Sequence, residues 1–177
     1  MKFNTSLALV VGSLLVSAPL AVAQGVTDPQ IAAIVVTANQ VDIDAGTLAA
    51  SKAANADVKA FGAQMVTDHT GVNKQAVALV TKLKVTPEDN ETSQSLKAGG
   101  EKNVATLKTL NGAAFDKAYV DHEVAYHQAV LDAVDKTLIP SAKNAELKAL
   151  LVKVRPAFVA HLQHAKTLQA SLGKSGG

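Results

Sequence analysis

Asp42, His69, His127 and His161 are the residues of this chain best placed to do chemistry. Each stands in a row of apolar residues that recurs at helical spacing, at a position an aliphatic side chain would otherwise fill. A polar group facing such an interior without a partner costs roughly 1 to 3 kcal/mol. Four of them on four helices call either for a hydrogen-bonded network or for a common ion. Three imidazoles and one carboxylate suit a single borderline transition metal, Zn²⁺ or Cu²⁺ ahead of Fe²⁺. His164, one turn after His161, is a reserve ligand. Glu123, one turn before His127, is a second reserve, either as a ligand or as a partner behind His127. His122 lies roughly 140° around the helix from His127 and belongs at the surface or rim.

Other chemistries lack their residues. A di-iron oxidase of the ferritin type needs a Glu-x-x-His pair on each of two helices. Three residues after Glu123 stands Tyr126, and three after Glu146 stands Ala149, so neither glutamate forms the pair. Ser and Thr occur without a base and an orienting acid at recognisable spacing, and there is no glycine loop of the phosphate-cradling kind. Nothing in the sequence speaks positively for an enzyme. Cysteine is absent, which removes disulfides, thiolate ligands and lipid attachment at a lipobox, so any ion must be held by His and carboxylate.

Helices must position these groups. With 48% hydrophobic but only 3% aromatic residues, the core is built from Ala, Val and Leu, which favours closely packed helices. A net charge of +2 with scattered lysines gives no nucleic-acid surface. Asp28 and Pro29 mark the start of a first helix whose stripe runs Ile31, Val35, Ala38, Asp42, Ala45, Ala49. Asn55 starts a second, with Val58, Phe61, Met65, His69, Val72, Ala76, Leu79 and Leu83 on one face. Asp42 and His69 are nearly equidistant from the turn at Asn55, which predicts that they meet at one height in an antiparallel pair.

Past a loop at Pro87, an extra helix is predicted over 92–110, weakened at Gly99 and Gly100. The next helix spans Phe115 to Leu138, with Val120, Val124, His127, Leu131, Val134 and Leu138 in its seam. A turn at 139–143 leads to a last helix capped by Ser141 or Asn144. Its seam is Leu147, Leu151, Val154, Phe158, His161, Ala165, Leu168 and Leu172. Pro156 predicts a kink, and His161 sits about one turn further from the connecting loop than His127 does.

Residues 1–23 read as a signal peptide: Lys2, an apolar run from Leu7 to Val22, and the triplet Ala21, Val22, Ala23 at the cleavage site. Residues 24–177 then form one exported helical-bundle domain, periplasmic or secreted, with no later segment long and apolar enough to span a membrane.

Four segments, ANQVDIDAG (38–46), the DHT triplet Asp68 to Thr70, FDKAYVDHEVAYHQ (115–128) and PAFVAHLQHA (156–165), resemble an exported bacterial family of unknown function. That family is grouped with the ferritin-like helical bundles and sometimes labelled outer-membrane. The resemblance covers nearly all of the chain from about Asp28 to Leu172. It implies a four-helix core plus a short extra helix, with His69, His127 and His161 at the family's histidine positions and Asp42 where the family usually carries Glu. The expected fold is therefore an all-α, ferritin-like, up-down four-helix bundle with the extra helix in its long connection. The expected function is to hold one transition-metal ion in an envelope under metal or oxidative stress. The alternative is an interaction or stress protein, of unknown protein partner, whose histidines are hydrogen-bonded core residues.

Overall fold

A computed structural model describes residues 25–175. The segment expected to be a signal peptide, with its expected cleavage site, lies outside them. The described chain is all-helical: α1 (Asp28–Lys52), α2 (Ala56–Leu83), α3 (Glu91–Thr109), α4 (Gly112–Ala133) and α5 (Ala145–Ser175). No helix among the described residues is long and apolar enough to cross a membrane.

Capping residues fix the helix starts. Thr27 caps α1 through a capping box with Gln30, one residue earlier than the sequence suggests. That releases the Asp28 carboxylate, which accepts from the backbone N–H groups of Lys143 and Asn144, both at 2.9 Å, and so ties the start of α1 to the start of α5. Asn55 caps α2, and Asn144 caps α5. At the opposite end, buried Asp116 of α4 accepts from Ala54 and Asn55 N–H (3.0 and 2.8 Å), pinning the α1–α2 turn.

Helix directions follow from residue pairs. Gly46 lies against Gly62, Asp42 against His69, and Val36 against Asn73, so α1 and α2 are antiparallel. Asp121 pairs with Gln169 and Asp135 with Arg155, so α4 and α5 are antiparallel as well. α3 returns along α1: Glu88 N–H bonds Pro29 C=O near one end, and Lys52 Nζ reaches Lys108 C=O at the other. The return is a full helix in the connection between α2 and α4, and it leaves those two running in the same direction, not alternating. Gly100 does not weaken α3 at random. A Cβ there would come within 2.6 Å of Val41, so the glycine is what lets α3 lie on α1.

Two details differ from the sequence pattern. The seam of α4 runs Phe115, Tyr119, Val120, Glu123, His127, Val130 and Leu131; Val124 is only half-buried, and Glu123 takes the interior place. α4 then continues through a wide π-helical turn at Val134–Leu138 and a last helical turn at Ile139–Ser141, so the connection to α5 falls later than expected. This nearly equalises the spans from the loop to His127 and to His161. α5 runs on through Pro156, which stands on the exposed face, where water can take the carbonyl it frees.

Candidate metal centre

The core is divided into two apolar clusters. Eight polar side chains are buried among the described residues: Ser93 and Asp116 serve helix starts, and the other six, Asn39, Asp42, His69, Glu123, His127 and His161, make one polar group in the interior. α1 supplies Asn39 and Asp42, α2 His69, α4 Glu123 and His127, and α5 His161. One ring nitrogen from each histidine lies within 4.8 Å of the other two, and the ring centroids stand 5.2 to 5.6 Å apart.

Each imidazole is oriented from behind. His69 Nδ1–H donates to Asn39 Oδ1 at 2.7 Å, with Asp42 Oδ2 3.5 Å from the same nitrogen. The Asn39 amide is itself fixed by donating to Val35 C=O at 2.7 Å. His127 Nδ1–H donates to Glu123 C=O at 3.0 Å, and Glu123 Oε2 is 3.4 Å away. His161 Nε2–H donates to Asp68 Oδ2 at 2.9 Å. That leaves His69 Nε2, His127 Nε2 and His161 Nδ1 buried with no hydrogen-bond partner. Three imidazoles, each with one nitrogen engaged and the other unpartnered, form a group that could hold an ion.

Asp42 is brought to the site, but against the back of His69 and beside Glu123, not into the group of three imidazoles. A second group forms there: Asp42, Glu123 and His127 offer atoms within 4.8 Å of one another. Burial first, and then the charge of Glu123, push the Asp42 carboxyl well above the usual range. Burial acts the same way on Glu123, yet contacts with His122 and His127 outweigh it and hold that carboxyl low. Two carboxylates so close, without Lys or Arg among the buried described residues, share their charge unequally. Burial is also the main reason His69 is lowered to about 3, reinforced by His127 and His161, and burial lowers His161 as well.

The remaining candidates lie apart from the three imidazoles. His164 is exposed and sets its ring edge-on to Phe61 at 4.9 Å. His122 is at the rim, stacked on Tyr126, with Nδ1 3.9 Å from Glu123 Oε1. Sequence patterning does not single out Asn39 or Asp68. A signal existed for Asn39, a polar residue one turn before Asp42 on the same buried face. Asp68 stands in the DHT triplet, but helical patterning assigns it no role: it adjoins His69 and points around α2 toward α5.

A cleft of about 360 Å³ between α2 and α5 leads from solvent past Asp68, Gly71 and Lys153 to His69 and His161. Solvent can therefore approach the histidines, although the rings themselves are buried.

A family model for a domain of unknown function, DUF4142, matches residues 15–168. The chain belongs to the DUF4142 family. No curated protein and no solved structure matches it. For this DUF4142 chain, then, the functional case rests on the buried groups themselves.

Proposed function

We propose that this DUF4142 protein is a ferritin-like bundle that holds one transition-metal ion, Zn²⁺ or Cu²⁺ ahead of Fe²⁺, on His69 Nε2, His127 Nε2 and His161 Nδ1. The observation that carries this is the pairing of an oriented nitrogen with an unpartnered one on all three buried imidazoles. Orientation by Asn39, Glu123 and Asp68 fixes the tautomers, and carboxylates behind a ligating imidazole raise its basicity. Asp42 and Glu123, when both ionised, balance the charge of one divalent ion held by neutral ligands. Four core helices that each contribute to one layer, with α2 and α4 parallel across a long connection, support the ferritin-like arrangement.

Three imidazoles leave room for a fourth ligand, such as water, at an ion of tetrahedral preference. Holding or buffering an ion needs nothing more than this set. The Lys2–Ala23 segment supports export, which would place that role in the cell envelope under metal or oxidative stress; N-terminal sequencing that returns Gln24 checks the export, and a retained Met1 refutes it.

Titration calorimetry of the metal-stripped protein above pH 7 with Zn²⁺ and Cu²⁺ tests the binding. One ion per chain is expected. Absence of stoichiometric binding would return the histidines to the role of hydrogen-bonded core residues in an interaction protein.

A further inference from the structure

A second hollow lies next to the histidines and takes no part in the proposed ion site. α1, α4 and α5, with Thr92 and Leu96 of α3 over the top, enclose a chamber of about 120 Å³. Ile34, Val35, Leu151 and Val154 wall it with carbon, and no polar atom is exposed to it. Most of its wall is buried; Thr92 and Ala129 are exposed and form its mouth.

Two features set this chamber apart from a packing defect. First, Val134 and Leu138 of its wall belong to the π-helical turn that follows α4. Such a turn displaces side chains from the regular helical rows, and single π turns recur at functional sites. Second, its inner end is the backing of the histidines. Asn39 holds His69, Phe158 packs edge-on against His69 at 5.2 Å, and Tyr126 packs edge-on against His127 at 6.3 Å.

A hollow without polar partners does not hold water well, since a buried water needs two to four hydrogen-bonding neighbours. Apolar cavities of about 150 Å³ stay dry and admit xenon or a small ring. We propose that this chamber binds one small apolar molecule, of the size class of a diatomic gas or a noble-gas atom, and holds it one side chain away from the histidine cluster. The binding itself needs no ion; only its proximity to a metal rests on the proposed ion site.

Xenon is the probe. In ¹²⁹Xe NMR of the metal-free protein, a saturable shift is expected, and crystals pressurised with xenon should show one atom between Val35, Val134 and Leu151. Ala133→Leu fills the chamber from α4 and Ala129→Leu closes its mouth; each should abolish the shift while helix content stays at the parent level. No saturable shift, a shift that survives both variants, or xenon density elsewhere overturns the proposal. Loading with Cu²⁺ should then speed ¹²⁹Xe relaxation relative to loading with Zn²⁺. Equal relaxation in two fully loaded samples would overturn the proximity, whereas failure to load either ion would count against the ion site and leave the metal-free xenon result to decide this one.

Discussion

Glu123 Oε2 stands 3.4 Å from His127 Nδ1, one turn along the same helix, with both side chains fully buried. The contact, together with the Glu123 carbonyl at 3.0 Å, occupies one side of the imidazole and leaves Nε2 unpartnered. If His127 is a ligand, Glu123 acts through its orientation and basicity. Glu123→Gln keeps the shape but removes the charge, and metal affinity should fall about 10- to 100-fold, the range found for partners of ligating histidines. Calorimetry at fixed pH checks this; an unchanged dissociation constant would separate the glutamate from the ion.

The histidines of α4 should differ sharply. His127 is wholly buried and faces His69 and His161, while His122 is at the rim, stacked on Tyr126. His127→Ala should abolish stoichiometric binding, and His122→Ala should leave it nearly intact. Equal losses in the two variants would mean that the ion, if any, sits elsewhere.

The positions of Asp42, His69, His127 and His161 were legible because helical periodicity reports which face is buried, and a polar residue in an apolar row stands out. Their meeting at one level was legible for Asp42 and His69, whose hairpin is short and well marked. It was not for His127 and His161, because a π-helical turn and a late loop leave no mark in a 3.6-residue pattern. The same pattern placed Val124 in the seam when Glu123 was the residue inside: neighbours on a helix differ by roughly 100°, and hydrophobicity alone prefers the valine. The role of Asp68, which the DHT triplet contains, was hidden for another reason. Its role depends on which helix stands next to α2, and that is a property of topology.

Acid should weaken the metal-free fold before it protonates the folded His69. Burial lowers His69 to about 3 and also lowers His161, so between the ordinary imidazole value near 6.5 and the folded values the unfolded chain binds more protons than the native one. The stability these groups contribute is thus complete above about pH 6.5 and is lost as pH falls below it, by up to about 1.4 kcal/mol per pH unit for each group. Urea melts at pH 7.0, 5.5 and 4.5 should show this, and His69→Gln should flatten the slope. A parent profile no steeper than the variant's would refute it.

The α1–α2 contact should tolerate no side chain at Gly62. A Cβ there would lie 2.8 Å from both the Gly46 carbonyl oxygen and the Ala49 Cβ, and one is backbone that cannot swing away. Gly62→Val should therefore cost about 1 to 3 kcal/mol by overpacking, despite removing a poor helix former. At Gly99 of α3, where a Cβ would meet nothing, Gly→Ala should instead stabilise by about 0.5 to 1 kcal/mol. Chemical denaturation of the two variants checks the contrast, and a stable Gly62→Val protein would mean that the two helices are further apart.

The α2–α5 cleft predicts a kinetic effect without a thermodynamic one. His161 is buried, but its partner Asp68 is 40% exposed and stands at the cleft that reaches His69 and His161. An incoming ion would meet that carboxylate first. Gly71 lies one turn along the cleft wall, and a Cβ added there meets nothing within 4 Å, so a side chain can start there without a clash at its first carbon. Gly71→Trp should thus obstruct the way in and out while leaving the three imidazoles untouched. Stopped-flow mixing with Zn²⁺ and a competing chromophoric chelator should show association and dissociation both slowed by about tenfold, within the span over which on-rates vary among variants of one site, with little change in the dissociation constant. If Gly71→Trp loads as fast as the parent, ions reach the histidines by another route. If affinity falls while the association rate holds, the tryptophan has distorted the site and has not closed its entrance.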